Sequence, residues 1–190
     1  MKFDDILKKR HCVRHFKLKE IGEKDLFAIL DSARYAPCAG GISTVRLILV
    51  DDKEKKKKIT EACLGQSFIA EAPQIIVLCS DMEQLKRSYS SKAEMYAHQQ
   101  AGAAIENIFL KATELGISTC WIGALDENPI RRVLKLPDKI KVEAVLPIGY
   151  EQGNSLIKEK MNLKNIVRFN EWSEKSQTVK GYFPTATGNE

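Results

Sequence analysis

The sequence predicts a mixed helix-and-strand domain in which amphipathic helices alternate with short apolar strands. Three observations predict it. Residues 75–79 are apolar without a break, and 45–50 form a second β-rich run, the pattern of strands covered on both faces. Apolar residues at helical spacing fill the stretches around them, the longest over about 93–115. The 190 residues, 44% hydrophobic and 29% charged, suit one domain, or one domain plus an arm.

In chain order, Phe3, Ile6 and Leu7 share a face and predict a short helix over 3–9. A second helix is expected over about 23–35, stopped by the loop Pro37, Cys38, Ala39, Gly40 and Gly41. Strand 45–50 follows, and Asp51 or Asp52 caps a helix that runs through four lysines to about Leu64. Strand 75–79 reads as central. Residues 81–94 are polar without a clean period and are expected to form a mobile helical or loop insert. On the long helix Ala101, Ala104, Ile105, Ile108, Phe109, Ala112 and Leu115 line one stripe, with Gly116 as its C-terminal cap. Gly102, among alanines, would admit another helix at close range. A strand over 118–122 ends at Gly123. Asn128 and Pro129 read as N-cap and first helical residue of the next helix, and 142–148 is the last strand.

Residues 1–150 are thus expected to form the domain and 151–190 an arm. The arm has no strong pattern, yet carries Ile157, Met161, Leu163, Ile166, Val167, Phe169, Trp172, Tyr182 and Phe183. Burying each is worth about 1.5–3 kcal/mol, so the arm is expected to pack, and packing on a partner subunit across a two-fold axis buries area twice.

Composition narrows the function. The net charge of +5 comes partly from Lys55–Lys58. That run has no interleaved aromatic residues, so no nucleic-acid partner is expected. Cys12, Cys38, Cys63, Cys79 and Cys120 are scattered and odd in number, which argues against a disulfide framework or zinc site and fits a reducing compartment. No signal-like or membrane-length apolar run stands out. A cytoplasmic protein without membrane contact is expected.

Four segments could carry chemistry. Arg10, His11, Cys12, Val13 and Arg14 follow the first helix; they read equally as an anion clamp and as cations complementing a helix C-terminus. The Pro37–Gly41 loop could bring backbone against a flat ligand, or simply turn. Ile122 and Gly123, with Cys120 and Trp121, sit where a strand end meets a loop, a place that ligands use in open sheets. Lys158 and Lys160 alone are ordinary surface charge. His11, His15 and His98 make no metal set, and no nucleotide-binding or nucleophile motif is present.

Read in order, these segments resemble the nitroreductase family of FMN-dependent oxidoreductases. The likeness rests on residues 10–16 (RHCVRHF), 33–40 (ARYAPCAG), 96–107 (YAHQQAGAAIEN), 114–124 (ELGISTCWIGA) and 146–150 (LPIGY). It implies an α+β fold, a three-layer α/β/α sandwich with a central mixed sheet. It also implies a homodimer with two FMN sites at the interface and a C-terminal arm exchanged between subunits. By position, Arg10, His11, Cys12 and Arg14 would hold the phosphate and pyrimidine edge, with Lys158 and Lys160 reaching the same phosphate. Pro37, Cys38, Ala39, Gly40 and Gly41 would come from the partner, and Ile122 and Gly123 would lie near flavin N5. NADH or NADPH would supply hydride, and a nitroaromatic, quinone or flavin would accept it. The alternatives are a flavin carrier or sensor with little turnover, and a specialised branch for dehalogenation or flavin fragmentation. The chain departs from the family pattern at Cys12 and Cys38, where Ser is usual, at Gly41 and Ser43, where Asn and Gln are usual, and at Gln100, where Asp is usual.

Overall fold

A computed structural model describes residues 1–172. The chain divides into a compact unit, Met1–Ser155, and a second beginning at Leu156. In the first, the order is α1 (Phe3–Lys9), α2 (Glu23–Ser32), β1 (Val45–Val50), α3 (Lys53–Ala62), α4 (Phe68–Glu71), β2 (Gln74–Asp81), α5 (Glu83–Tyr89), α6 (Ala93–Glu114), β3 (Ser118–Thr119), α7 (Glu127–Leu134) and β4 (Ile140–Gly149). Single 3₁₀ turns cover Ala33–Tyr35, Ala39–Gly41 and Ser90–Lys92.

The sheet runs β1-β2-β4-β3. Alternation along β2 explains the three layers. Ile76 and Leu78 face one side and join Ala144, Leu146 and Ile148 against α2 and α6, where Leu26, Ile29, Ile105, Ile108 and Phe109 are buried. Ile75, Val77 and Cys79 face the other side and pack with Val145, Ile59, Ile69 and Ile130 of the α3, α4 and α7 layer. The sandwich matches the expected three-layer architecture, with one correction to the mixed sheet. Among the described residues every strand–strand ladder is antiparallel, and the parallel pairing is a single bridge, Cys12 to Thr119. The register slips between Leu78 and Cys79, leaving Glu143 as the extra residue of β4. His98 of α6 meets this bulge, its Nδ1 2.6 Å from Glu143 Oε2.

Local chemistry sets the helix ends. The Asp52 carboxylate accepts the Lys55 N–H (2.8 Å) to start α3. α6 stops in a Schellman arrangement: the Ile117 N–H donates to Ala112 O (2.8 Å), the Gly116 N–H to Thr113 O (3.1 Å), and Gly116 has φ +71°. α7 begins one residue before the expected cap, because the Asp126 carboxylate takes the Asn128 N–H (3.0 Å), leaving Pro129 inside the first turn. Of residues 81–94, expected to form a mobile helical or loop insert, 83–89 are helical and 90–92 a 3₁₀ turn, with Met82 and Leu85 buried against Ala93 and Ala97. The expected strand 118–122 is shorter, with Ile122 returning in a two-bond bridge to Val145.

Among the described residues the second unit holds one short helix, α8 (Leu163–Ile166), and its side chains Leu156, Met161, Ile166 and Trp172 are exposed. Tyr182 and Phe183 of the expected arm lie outside the described residues.

Candidate functional site

The chain leaves α1 extended and is fixed to the end of the sheet. The Val13 N–H donates to Thr119 O (3.0 Å), the Lys17 N–H to Tyr150 O (2.8 Å) and the Gln152 N–H to His15 O (2.9 Å). Val13 and Phe16 point inward and are buried, which turns Cys12 and Arg14 outward by strand alternation. The anion-clamp segment and the strand-end segment, distant in sequence, therefore meet. Cys12 pairs with Thr119 in a parallel bridge, which sets Arg10–Arg14 beside the start of the Cys120–Gly123 segment.

Each polar group has a definite setting. Arg10 Nε lies 3.4 Å from Glu106 Oε1 of α6. The Arg14 guanidinium stands over the Phe68 ring, 5.9 Å from its centroid, and also faces Cys120. His11 Nδ1 is 2.7 Å from Lys9 O. Its Nε2 is buried without a hydrogen bond, 3.6 Å from Glu151 Oε1. Burial raises the Glu151 carboxyl, but the Ser155 N–H at 2.6 Å and the nearby imidazole outweigh it and hold Glu151 below the ordinary carboxylate range. The Cys12 thiol is held down at about 5: the Cys120 donor is the largest cause, burial opposes it, and the Trp121 N–H and Arg10 assist. The same contact, with burial, pushes the Cys120 thiol up.

Ile122 is buried, and Gly123 follows Trp121, whose indole Nε1 would sit 3.7 Å from a Cβ on Gly123. Trp121 is half exposed and lies edge-on to Phe109, 6.3 Å between centroids. A Cβ on Gly102 would meet this same indole at 3.8 Å.

The Pro37–Gly41 loop is held elsewhere, on α5. Gly40 has φ +56°, and a Cβ there would overlap the Tyr89 hydroxyl. Ala39 and Ile42 pack with Tyr89 and Tyr96. The exit of the loop is fixed by the buried Gln100, whose Oε1 accepts the Thr44 N–H (3.1 Å) and hydroxyl (3.3 Å). The residue that replaces the usual Asp thus acts as a neutral acceptor for the loop. Cys38 is partly buried, and nothing lies within 4 Å of a Cβ placed on Gly41. Lys158 and Lys160 are exposed in the second unit.

Sequence reasoning found these segments but missed the contacts between them. The roles of Glu106 and Glu151 carry no local signal, since each depends on which distant segments the sheet brings together. Among the described residues no group of acidic, His and Cys side chains could hold a metal ion, and no helix is long and apolar enough to cross a membrane.

The family model for the nitroreductase family matches residues 7–68 and 62–150. The chain is 33% identical over 145 residues to an Archaeoglobus fulgidus protein with the provisional name NADH dehydrogenase/NAD(P)H nitroreductase, covering 74% of this chain and 80% of that one. It is 27% identical over 163 residues to the FMN reductase [NAD(P)H] of Bacillus subtilis, covering 78% and 66%. Among solved structures, an FMN-dependent nitroreductase from Clostridium difficile superposes with a TM-score of 0.76 at 31% identity, over 88% of this chain and 98% of that one.

Proposed function

Because the chain belongs to the nitroreductase family, we propose that it is an FMN-dependent oxidoreductase taking hydride from NADH or NADPH and passing it to an organic acceptor. The acceptor class is a nitroaromatic, a quinone or a free flavin. One observation carries the reading: the Val13–Thr119 hydrogen bond and the Cys12–Thr119 bridge gather Arg10, His11 and Arg14 beside the Ile122–Gly123 strand end. Cations and a glycine turn on one rigid edge are what a phosphorylated planar ligand requires.

The residues fit such a ligand. The buried His11 Nε2 makes no hydrogen bond, with Glu151 Oε1 at 3.6 Å, and could bond to such a ligand. Arg10 and Arg14 would bind the phosphate, helped by Lys158 and Lys160. Cys12, between them, would offer its backbone to the same ligand. Gly123 would allow close approach to the ring, and the open face at Gly41, with Pro37, Cys38, Ala39 and Gly40, would border the acceptor from the partner subunit. The bound flavin would supply the two-electron chemistry. The protein's work is to orient it, to neutralise the phosphate and to stabilise negative charge at the pyrimidine edge.

We further read the protein as a homodimer with two such sites at the interface, residues 151–190 packing on the partner and 1–150 forming the domain. The exposure of Leu156, Met161, Ile166 and Trp172 supports this. The test is direct. Purified protein should be yellow, release FMN on heating, and oxidise NADH or NADPH with menadione as acceptor. Colourless protein that refuses FMN at micromolar concentration refutes the cofactor, and flavin-loaded protein without turnover refutes the enzyme.

A further inference from the structure

Three contacts hold the Trp121 indole and leave part of it open. The far edge of its six-membered ring, Cη2, lies 3.8 Å from the place a Cβ would take on Gly102 of α6. At the opposite end of the indole, Nε1 lies 3.7 Å from the corresponding place on Gly123. Phe109 of α6 meets the indole edge-on, 6.3 Å between centroids at 87°. The sequence neighbours Cys120 and Ile122 are buried, as packing residues of a sheet end should be, whereas Trp121 keeps 43% of its surface exposed. Helix α6 relates this indole to the cationic edge. Gly102 and Glu106 are four residues apart in α6, so they share one face of the helix, about 5–6 Å between Cβ positions. Gly102 bears the indole, and Glu106 Oε1 holds Arg10 Nε at 3.4 Å. Arg10 and Trp121 are therefore neighbours along one stripe of α6, and the indole spans from the arginine end of the site to the Gly123 strand end.

We propose that Trp121 is the aromatic wall of the flavin site: its open surface contacts the isoalloxazine ring between Arg10 and Gly123. The inference rests on the FMN reading above and adds to it a residue that holds the ring rather than the phosphate. The cations of the edge neutralise charge but offer a flat ring no apolar surface. The indole supplies that surface at the one place where the arginine end and the glycine strand end are both within reach. An electron-rich indole also suits an electron-poor ring, in an offset or edge contact with centroids about 4.5–7 Å apart. Phe109 and the two glycines fix the indole before any ligand arrives, so little side-chain freedom is lost on binding. Contact has a spectroscopic consequence. An indole against a photoexcited flavin gives it one electron and takes it back, with no net oxidation, and the flavin returns to its ground state without emitting. Bound FMN should therefore be nearly dark, with Trp121 as the quencher.

The test uses the full-length chain loaded with FMN and reads two quantities, the excited-state lifetime of the bound flavin and the FMN dissociation constant by equilibrium dialysis. Wild-type protein should show a lifetime far shorter than that of free FMN. Trp121→Phe keeps a ring against Phe109, and phenyl is much harder to oxidise than indole, so FMN should stay bound while its lifetime lengthens. Trp121→Leu removes the ring and should weaken FMN about tenfold, as loss of one aromatic stacking partner does. Cooperative urea unfolding of each variant confirms that it is folded, and Trp121→Phe carries the test if Trp121→Leu is not. A flavin lifetime unchanged in Trp121→Phe overturns the proposal, and so does wild-type affinity in a folded Trp121→Leu. The two readings separate: wild-type protein that binds no FMN overturns the cofactor and this contact with it, whereas protein that binds FMN and fails either comparison counts against Trp121 alone.

Discussion

The packing of Gly40 under Tyr89 gives a quantitative test of how the Pro37–Gly41 loop is held. Gly40→Ala meets two penalties. At φ +56° and ψ 27° the backbone is left-handed, which costs a residue with a Cβ roughly 1–2 kcal/mol. The new methyl would also overlap the Tyr89 hydroxyl. Tyr89 cannot swing freely, because its ring stands edge-on to Tyr96 at 5.1 Å, so the overlap behaves as overpacking, worth about 1–3 kcal/mol. The total expected loss is about 2–5 kcal/mol. In a Tyr89→Phe background the hydroxyl is gone and the nearest ring atom is Cζ at 3.4 Å, an ordinary contact. There only the backbone share, roughly 1–2 kcal/mol, should remain. Urea unfolding of the four proteins gives the coupling directly. Equal losses in both backgrounds would refute the claim that α5 sets the height of this loop.

Other consequences are as specific. Arg10→Gln should weaken FMN at least about tenfold, since a charge-assisted hydrogen bond is worth about 1.5–3 kcal/mol; flavin fluorescence titration reads it, and an unchanged affinity would remove Arg10 from the site. The Cys12 thiol falls from 9.0 to about 5 on folding, so between those values the unfolded chain binds the extra proton. Cys12 therefore contributes stability that is complete above pH 9 and lost as pH falls toward 5; Cys12→Ser should flatten this rise in a pH series of unfolding midpoints. Above pH 9 the raised thiols of Cys63, Cys79 and Cys120 act in the opposite sense, and stability should decline. Phe109→Ala should cost about 3–5 kcal/mol in chemical unfolding and shift Trp121 emission, because the indole loses its edge-on neighbour.

Elements governed by local chemistry were legible in the sequence. The helix from Phe3 to Lys9 and the strand from Val45 to Val50 fall where periodicity puts them, and Gly116 caps as its backbone freedom suggests. Readings failed where a longer-range partner decided the outcome. Residues 83–89 look polar because few of them are buried, yet Leu85, with Met82 and Tyr89, packs the helix against Ala93, Tyr96 and Ala97. Asp126 outcompetes Asn128 for the cap while its own N–H is tied to Ala62 O, a contact no window around residue 128 contains. The sheet is antiparallel because β1, β2 and β4 turn back through α3, α5 and α6, and apolar runs alone do not encode direction. Of the site, Arg10 to Arg14 and Ile122–Gly123 stood out by residue type. That they share one edge follows from the Val13–Thr119 register, which is a property of the assembled sheet.

The attachment of residues 12–17 also constrains how the protein is made. Val13 and Lys17 find their main-chain partners at Thr119 and Tyr150, so this segment waits for β3 and the end of β4, which are synthesised long after it. Contacts of such long sequence separation form late. A nascent chain arrested before β4 would own every arginine of the cationic edge without the fold that assembles it.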